Sequence, residues 1–158
     1  MNNMTRRLIC LLLLAALCLL AGCGAKAPAT VDLPGVYDSI AQSAELPDMM
    51  ALSEKRIANY YGIDPAACPQ LLMYIAEDGL RVDEIWLIEA ADEDAAKKLE
   101  ELAASHRDQV CAETENYLPD QYAVAKDARI LREGKTVALF LSPDAAAMEK
   151  QFRAAFGK

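Results

Sequence analysis

Apolar and polar positions along the chain change period several times, and each change marks an element. Leu8 to Ala21 is an unbroken apolar run of 14 residues. Further on, Val36, Tyr37, Ile40, Ala41 and Ala44 recur at helical spacing until Leu46-Pro47 stops the pattern. Ser53 has the chemistry of an N-cap for a short helix through Ile57 to Tyr61, Gly62 suits the left-handed residue after it, and Asp64-Pro65 is a turn. Gln70 to Glu77 and Asp83 to Ala90 are aliphatic and aromatic runs separated by Glu77-Asp78-Gly79, which predicts an antiparallel hairpin. Asp92 caps a long helix to about Ala112. Its apolar stripe is Ala95, Leu99, Leu102, Ala103, His106 and Val110, with Glu93/Lys97 and Asp94/Lys98 as i, i+4 pairs on the wet side. Pro119 interrupts any helix beyond it. Ala128 to Arg132, a Glu133-Gly134-Lys135 turn and Thr136 to Ser142 predict a second hairpin, and Pro143 opens a last helix over Ala145 to Phe156.

The order is therefore two helices followed by two strand-strand-helix units, an α+β fold with a four-stranded antiparallel sheet. The last two helices are expected to lie together on one face. An offset of 52 residues places Ile85, Leu87, Asp92 and Lys98 on Val137, Leu139, Asp144 and Lys150, which suggests that the two units are alike. Three strands do not alternate: Leu71 to Ala76, Ile85 to Ile88 and Val137 to Leu141 are apolar at both parities. A half-wet sheet shows polar residues at every second position, so the second face must be covered too. The first two helices are the expected cover. The other reading gives part of that face, around Tyr74 and Trp86, to a partner or a small apolar ligand.

The amino terminus is of another kind. Arg6 and Arg7 precede the 14-residue apolar run with no acid among them, which is the charge and hydrophobic pattern of an export signal. A span needs about 20 apolar residues, so the run is too short for a permanent anchor. It ends in Leu20-Ala21-Gly22-Cys23, which resembles a bacterial lipobox. That resemblance implies cleavage before Cys23 and attachment of a diacylglyceryl group to its sulfur. One acyl chain holds a protein to a bilayer only marginally, whereas two make the attachment stable. The expected organisation is a signal peptide over residues 1–22, a lipidated cysteine and flexible tether over 23–35, and a single α+β domain over 36–157. Its expected location is the extracytoplasmic face of the cell membrane.

Composition sharpens this picture once the signal is set aside. The whole chain is 54% hydrophobic with a net charge of −8. Removing residues 1–22 takes away Arg6 and Arg7 and none of the 24 acids, so the charge becomes −10. Such acidity argues against nucleic acid as a partner and against adsorption to anionic headgroups.

Within the exported part, Tyr60-Tyr61-Gly62-Ile63-Asp64, Val82-Asp83-Glu84-Ile85 and Tyr117-Leu118-Pro119-Asp120-Gln121-Tyr122 resemble, in order and spacing, the uncharacterised bacterial lipoproteins grouped as domain of unknown function 4358. The resemblance covers about Val36 to Phe156. It implies an exported, lipid-anchored protein of a Gram-positive type of cell and carries no catalytic or ligand residues.

The residues themselves point to no catalytic constellation. His106, the one histidine, sits on the apolar stripe of the long helix and reads as packed. Cys68 and Cys111 are expected to stay apart, because the long helix climbs away from the Cys68 end of the hairpin by about 28 Å before reaching Cys111. Two cysteines and one histidine at these spacings do not make a zinc site. Asp92-Glu93-Asp94 lacks the glycine and twelfth-position glutamate of a calcium loop. No metal or other cofactor is expected. The function that emerges is a non-catalytic, lipid-anchored binding domain at the cell envelope, held to the membrane through its lipid and facing an envelope protein or small ligand. Tyr74, Trp86, Tyr117 and Tyr122 are its candidate surface. The alternative is a small envelope hydrolase using paired carboxylates or His106.

Overall fold

The computed structural model describes residues 31–158; the segment read as a signal peptide, Cys23 and the first part of the expected tether lie outside the described residues. Helix α1 (Leu33–Ser43) accepts Pro34 in its first turn, where no intrahelical N–H is needed, and buries Leu33, Val36 and Ile40. It begins inside the run read as tether. Strand β1 (Met49–Ala51) follows, then α2 (Glu54–Tyr61), capped by the Ser53 hydroxyl on the Arg56 N–H and ended by Gly62 at φ +68°. A 3-10 turn at Pro65–Ala67 leads to β2 (Gln70–Ala76) and β3 (Glu84–Glu89). Then come α3 (Glu93–Thr114), α4 (Pro119–Lys126), β4 (Arg129–Glu133), β5 (Thr136–Leu141) and α5 (Ala145–Ala155).

The five strands form one antiparallel sheet in the order β1-β2-β3-β5-β4. Both predicted hairpins are present, and β3 and β5 join them with Ile85 opposite Phe140. Every residue of these two central strands is buried, which explains their apolar residues at both parities. On one face Ile85, Leu87, Ala138 and Phe140 pack against Leu33, Val36 and Ile40 of α1 and Met148 and Phe152 of α5. On the other, Met73, Trp86, Ile88, Leu139 and Leu141 pack against Ile57 of α2, Ala103 of α3 and Ala125 of α4. The described residues thus form a three-layer sandwich.

This arrangement corrects the sequence reading at several points. The sheet has five strands and not four, because β1 is three residues long between Pro47 and the Ser53 cap, too short to establish a period. The long helix and the last helix lie on opposite faces rather than together, since a sheet apolar on both sides needs helices on both. The two strand-strand-helix units are therefore not arranged alike about the sheet. The second face is indeed covered, but by α1 with α5, while α2 joins α3 and α4. Pro119 starts a helix instead of preventing one; it occupies the first turn, where its missing N–H costs nothing. Among the described residues, neither Glu93/Lys97 nor Asp94/Lys98 closes to an ion pair, whereas Glu100 of α3 reaches Arg132 of β4 at 2.7 Å.

Candidate functional site

The N-terminal end of β3 holds two neighbouring buried carboxylates, Asp83 and Glu84. By strand alternation Glu84 and Trp86 point to the same face, and the Glu84 residue is only 6% exposed. The Trp86 indole Nε1–H donates to Glu84 Oε1 at 2.6 Å. His106, brought over β3 by the middle of α3, places Nε2 at 2.8 Å from Glu84 Oε2. An ionised carboxylate only accepts, so Nε2 carries the proton in this contact. The imidazole lies against the indole, with ring centroids 5.2 Å apart and planes at 28°. Tyr61, from the last turn of α2, meets both: its ring is edge-on to Trp86 at 5.5 Å and tilted on His106 at 5.2 Å. Burial first, and then the charge and hydrogen bonding of Glu84, push the Tyr61 phenol well above its ordinary pKa.

The carboxylate thus joins β3 to α3 through His106, and α2 packs onto the pair through the Tyr61 ring. The adjoining residues extend the knot. Arg81 Nε pairs with Asp83 Oδ2 at 2.9 Å while Asp83 Oδ1 is buried without a partner, and Gln121 of α4 accepts from the Val82 N–H at 3.0 Å. Tyr61, the Val82–Glu84 stretch and Gln121 belong to the three local patterns that stand far apart in the sequence, and they converge here.

Chemically, the cluster holds an imidazole in one orientation. The other ring nitrogen, Nδ1, has no hydrogen-bond partner among the described residues. Among the described residues no hydroxyl or thiol bonds to it, and no group of three or more His, Cys, Asp or Glu side chains is placed to hold a metal ion.

The residues expected to form one surface lie apart. Trp86 is fully buried, so it offers no surface. Tyr74 faces the opposite side of the sheet, stacked on Tyr37 of α1 at 3.9 Å. Tyr117 is 84% exposed in the connection from α3 to α4. Tyr122, on α4, has the Lys126 ammonium 5.6 Å from its ring centre. Sequence reasoning named Glu84 only as part of the Val82-Asp83-Glu84-Ile85 pattern and gave it no role. Its signal was a carboxylate two residues from a tryptophan at the inward parity of a strand otherwise apolar on that face.

Beside the cluster, a groove of about 210 Å³ runs between the α2–β2 connection and the first half of α3. Ile63, Ala67, Cys68, Leu99 and Leu102 line it, and Lys98 stands in it. Burial pushes the Cys68 thiol up, with Asp64 adding to the effect, so it rests as a thiol and not a nucleophilic thiolate. Cys68 and Cys111 are both free. Cys68 shares the groove with Ala95, and Cys111 lies sixteen residues farther along α3, a rise of about 24 Å.

A buried carboxylate knot inside a three-layer α+β sandwich, with an apolar groove alongside, is the class of domain that fold and site define. The chain belongs to the family described as a domain of unknown function (DUF4358), which matches residues 42–142. That stretch runs from the end of α1 through β5 and includes Tyr61, Glu84, Trp86, His106 and the groove. No curated protein and no solved structure matches the chain.

The Tyr61 environment has a measurable consequence in alkali. A group whose folded-state pKa is raised contributes stability that is intact below its unfolded value, about 10 for tyrosine, and is lost as pH rises beyond it. Urea unfolding midpoints are expected to fall more steeply above about pH 10 in the wild type than in Tyr61→Phe. Parallel pH curves would mean that Tyr61 is not held protonated by its surroundings.

Proposed function

We propose that the chain is a lipid-anchored extracytoplasmic domain whose work is binding rather than catalysis. Arg6, Arg7, the apolar run to Ala21 and the Leu20-Ala21-Gly22-Cys23 sequence support export and anchoring. The observation that carries the binding reading is the groove beside Cys68: mostly apolar, with one ammonium (Lys98) and one carboxylate (Asp64) on its lining, it has the make-up of a site for an apolar or amphipathic group. Glu84 spends one carboxylate oxygen on His106 of α3 and the other on Trp86 of its own strand, a use that suits a rigid support for the groove.

Two experiments test the parts separately. Intact mass measurement on the membrane fraction is expected to find Cys23 at the mature N-terminus with its lipid; an unmodified soluble product removes the anchor. Ala67 is an exposed residue on the groove, so Ala67→Trp fills the groove without touching the core. Capture from the native envelope by the wild-type chain should be lost in that variant while its circular dichroism is unchanged. Identical capture by both proteins would rule out the groove.

The rival reading, an envelope hydrolase, draws on the oriented Nδ1 of His106. A hydrolytic activity of the purified chain that disappears in a folded His106→Gln variant would decide for it.

A further inference from the structure

The two edges of the sheet are finished differently. On β4, Arg129 and Glu133 pair with Glu149 and Arg153 of α5, and Arg132 pairs with Glu100 of α3. These charges guard that edge against another strand. The β1 edge is Met49-Met50-Ala51, with no charged residue and no proline in the strand and with Met50 36% exposed.

Its hydrogen-bond phase can be read from the ladder. The Leu52 N–H donates to the Met73 carbonyl and the Glu77 N–H to the Asp48 carbonyl, while Met50 stands opposite Ile75. Residues 48, 50 and 52 therefore turn their backbone groups toward β2, and Met49 and Ala51 turn theirs outward. Among the described residues nothing accepts from or donates to those outward groups. What they fit is an extended strand.

We propose that this edge pairs with a second copy of the chain, antiparallel and centred on Met50, to make a continuous ten-stranded sheet. The register follows from the phase. Met49 of each copy lies opposite Ala51 of the other, and each such pair exchanges two N–H to C=O bonds. Met50 meets its own counterpart on the two-fold axis as a non-hydrogen-bonded pair, the closer kind, with Cα atoms about 4.5 Å apart. Asp48 falls opposite Leu52, so no like charges face each other along the strand, and two exposed methionines cover one another beside Ile75. A two-fold contact of this kind is closed and stops at the dimer. Three residues a side bury little surface, and each chain is acidic, so the dimer is weak and strengthens as salt screens the repulsion.

The test uses the full chain, purified in detergent. Met50→Cys is expected to form a disulfide-linked dimer on mild oxidation, more readily at higher ionic strength and well above the background of the native cysteines. Tyr60→Cys, at an 80% exposed position on α2, should give only that background. Met50→Lys should abolish the dimer seen for wild type by sedimentation while leaving circular dichroism unchanged. Equal cross-linking of the two cysteine variants, a dimer that survives Met50→Lys, or a wild-type chain that stays monomeric at every concentration each overturns the proposal. So does cross-linking of Met50→Cys in cells to a different protein only.

Discussion

Replacing Glu84 by leucine is expected to lower the unfolding free energy by about 3 kcal/mol, an effect typical of breaking a buried charge-assisted network. The change removes the acceptor for the Trp86 indole at 2.6 Å and for His106 at 2.8 Å in a place that water does not reach freely. Each donor is then left unsatisfied, and the imidazole loses the group that fixes its orientation. His106→Leu should cost less, about 1 kcal/mol, because Glu84 keeps its bond from Trp86 and its neighbour Tyr61. Trp86 is the only tryptophan, so urea unfolding followed by its fluorescence reads the network directly. A double-mutant cycle over Glu84 and His106 should show coupling on the order of 1 kcal/mol. Simple additivity would mean that the contact has no energetic weight.

The second large effect is on the other side of the sheet. Phe152 is fully buried, edge-on to Phe140 of β5 with centroids 6.2 Å apart and 5.0 Å from Phe156. Truncation to alanine removes a ring from the layer that joins α5 to α1 and leaves a cavity that helices on a rigid sheet cannot close. The expected loss is about 4 kcal/mol. For a domain of this size that corresponds to a fall in melting temperature of roughly 15 °C. Phe156→Ala, at a half-buried residue just past the helix, should cost about 1 kcal/mol. Comparable melting shifts for the two would contradict the packing described for this face.

Local features of the fold were legible in the sequence because their causes are local. Ser53, Gly62 and Asp92 act as caps at the positions their chemistry predicts, and both hairpins turn where glycine and acids cluster. Helix α4 was hidden because a proline is a poor continuation and a good start, and the sequence does not say which applies. Face assignment was hidden for a related reason: when β3 and β5 are apolar at both parities, periodicity cannot choose a side for α3 or α5. His106 was rightly placed on a packed stripe. Its partner was not visible, because Glu84 is 22 residues away and looked like one of 24 acids. The convergence of Tyr61, Glu84 and Gln121 is a property of the tertiary fold that no spacing rule contains.

The strand order also sets how the chain must fold. β2 with β3 and β4 with β5 are neighbours in sequence and can pair within a short loop. The ladder between β3 and β5 joins Ile85 to Phe140 across α3 and α4, so the two hairpins become one sheet only when a long segment closes. Such closure has an entropic cost that only the buried centre of the sheet returns, and topologies with distant pairing fold slowly. The two strands that are buried along their whole length are thus the pair that the chain joins across its longest connection between neighbouring strands.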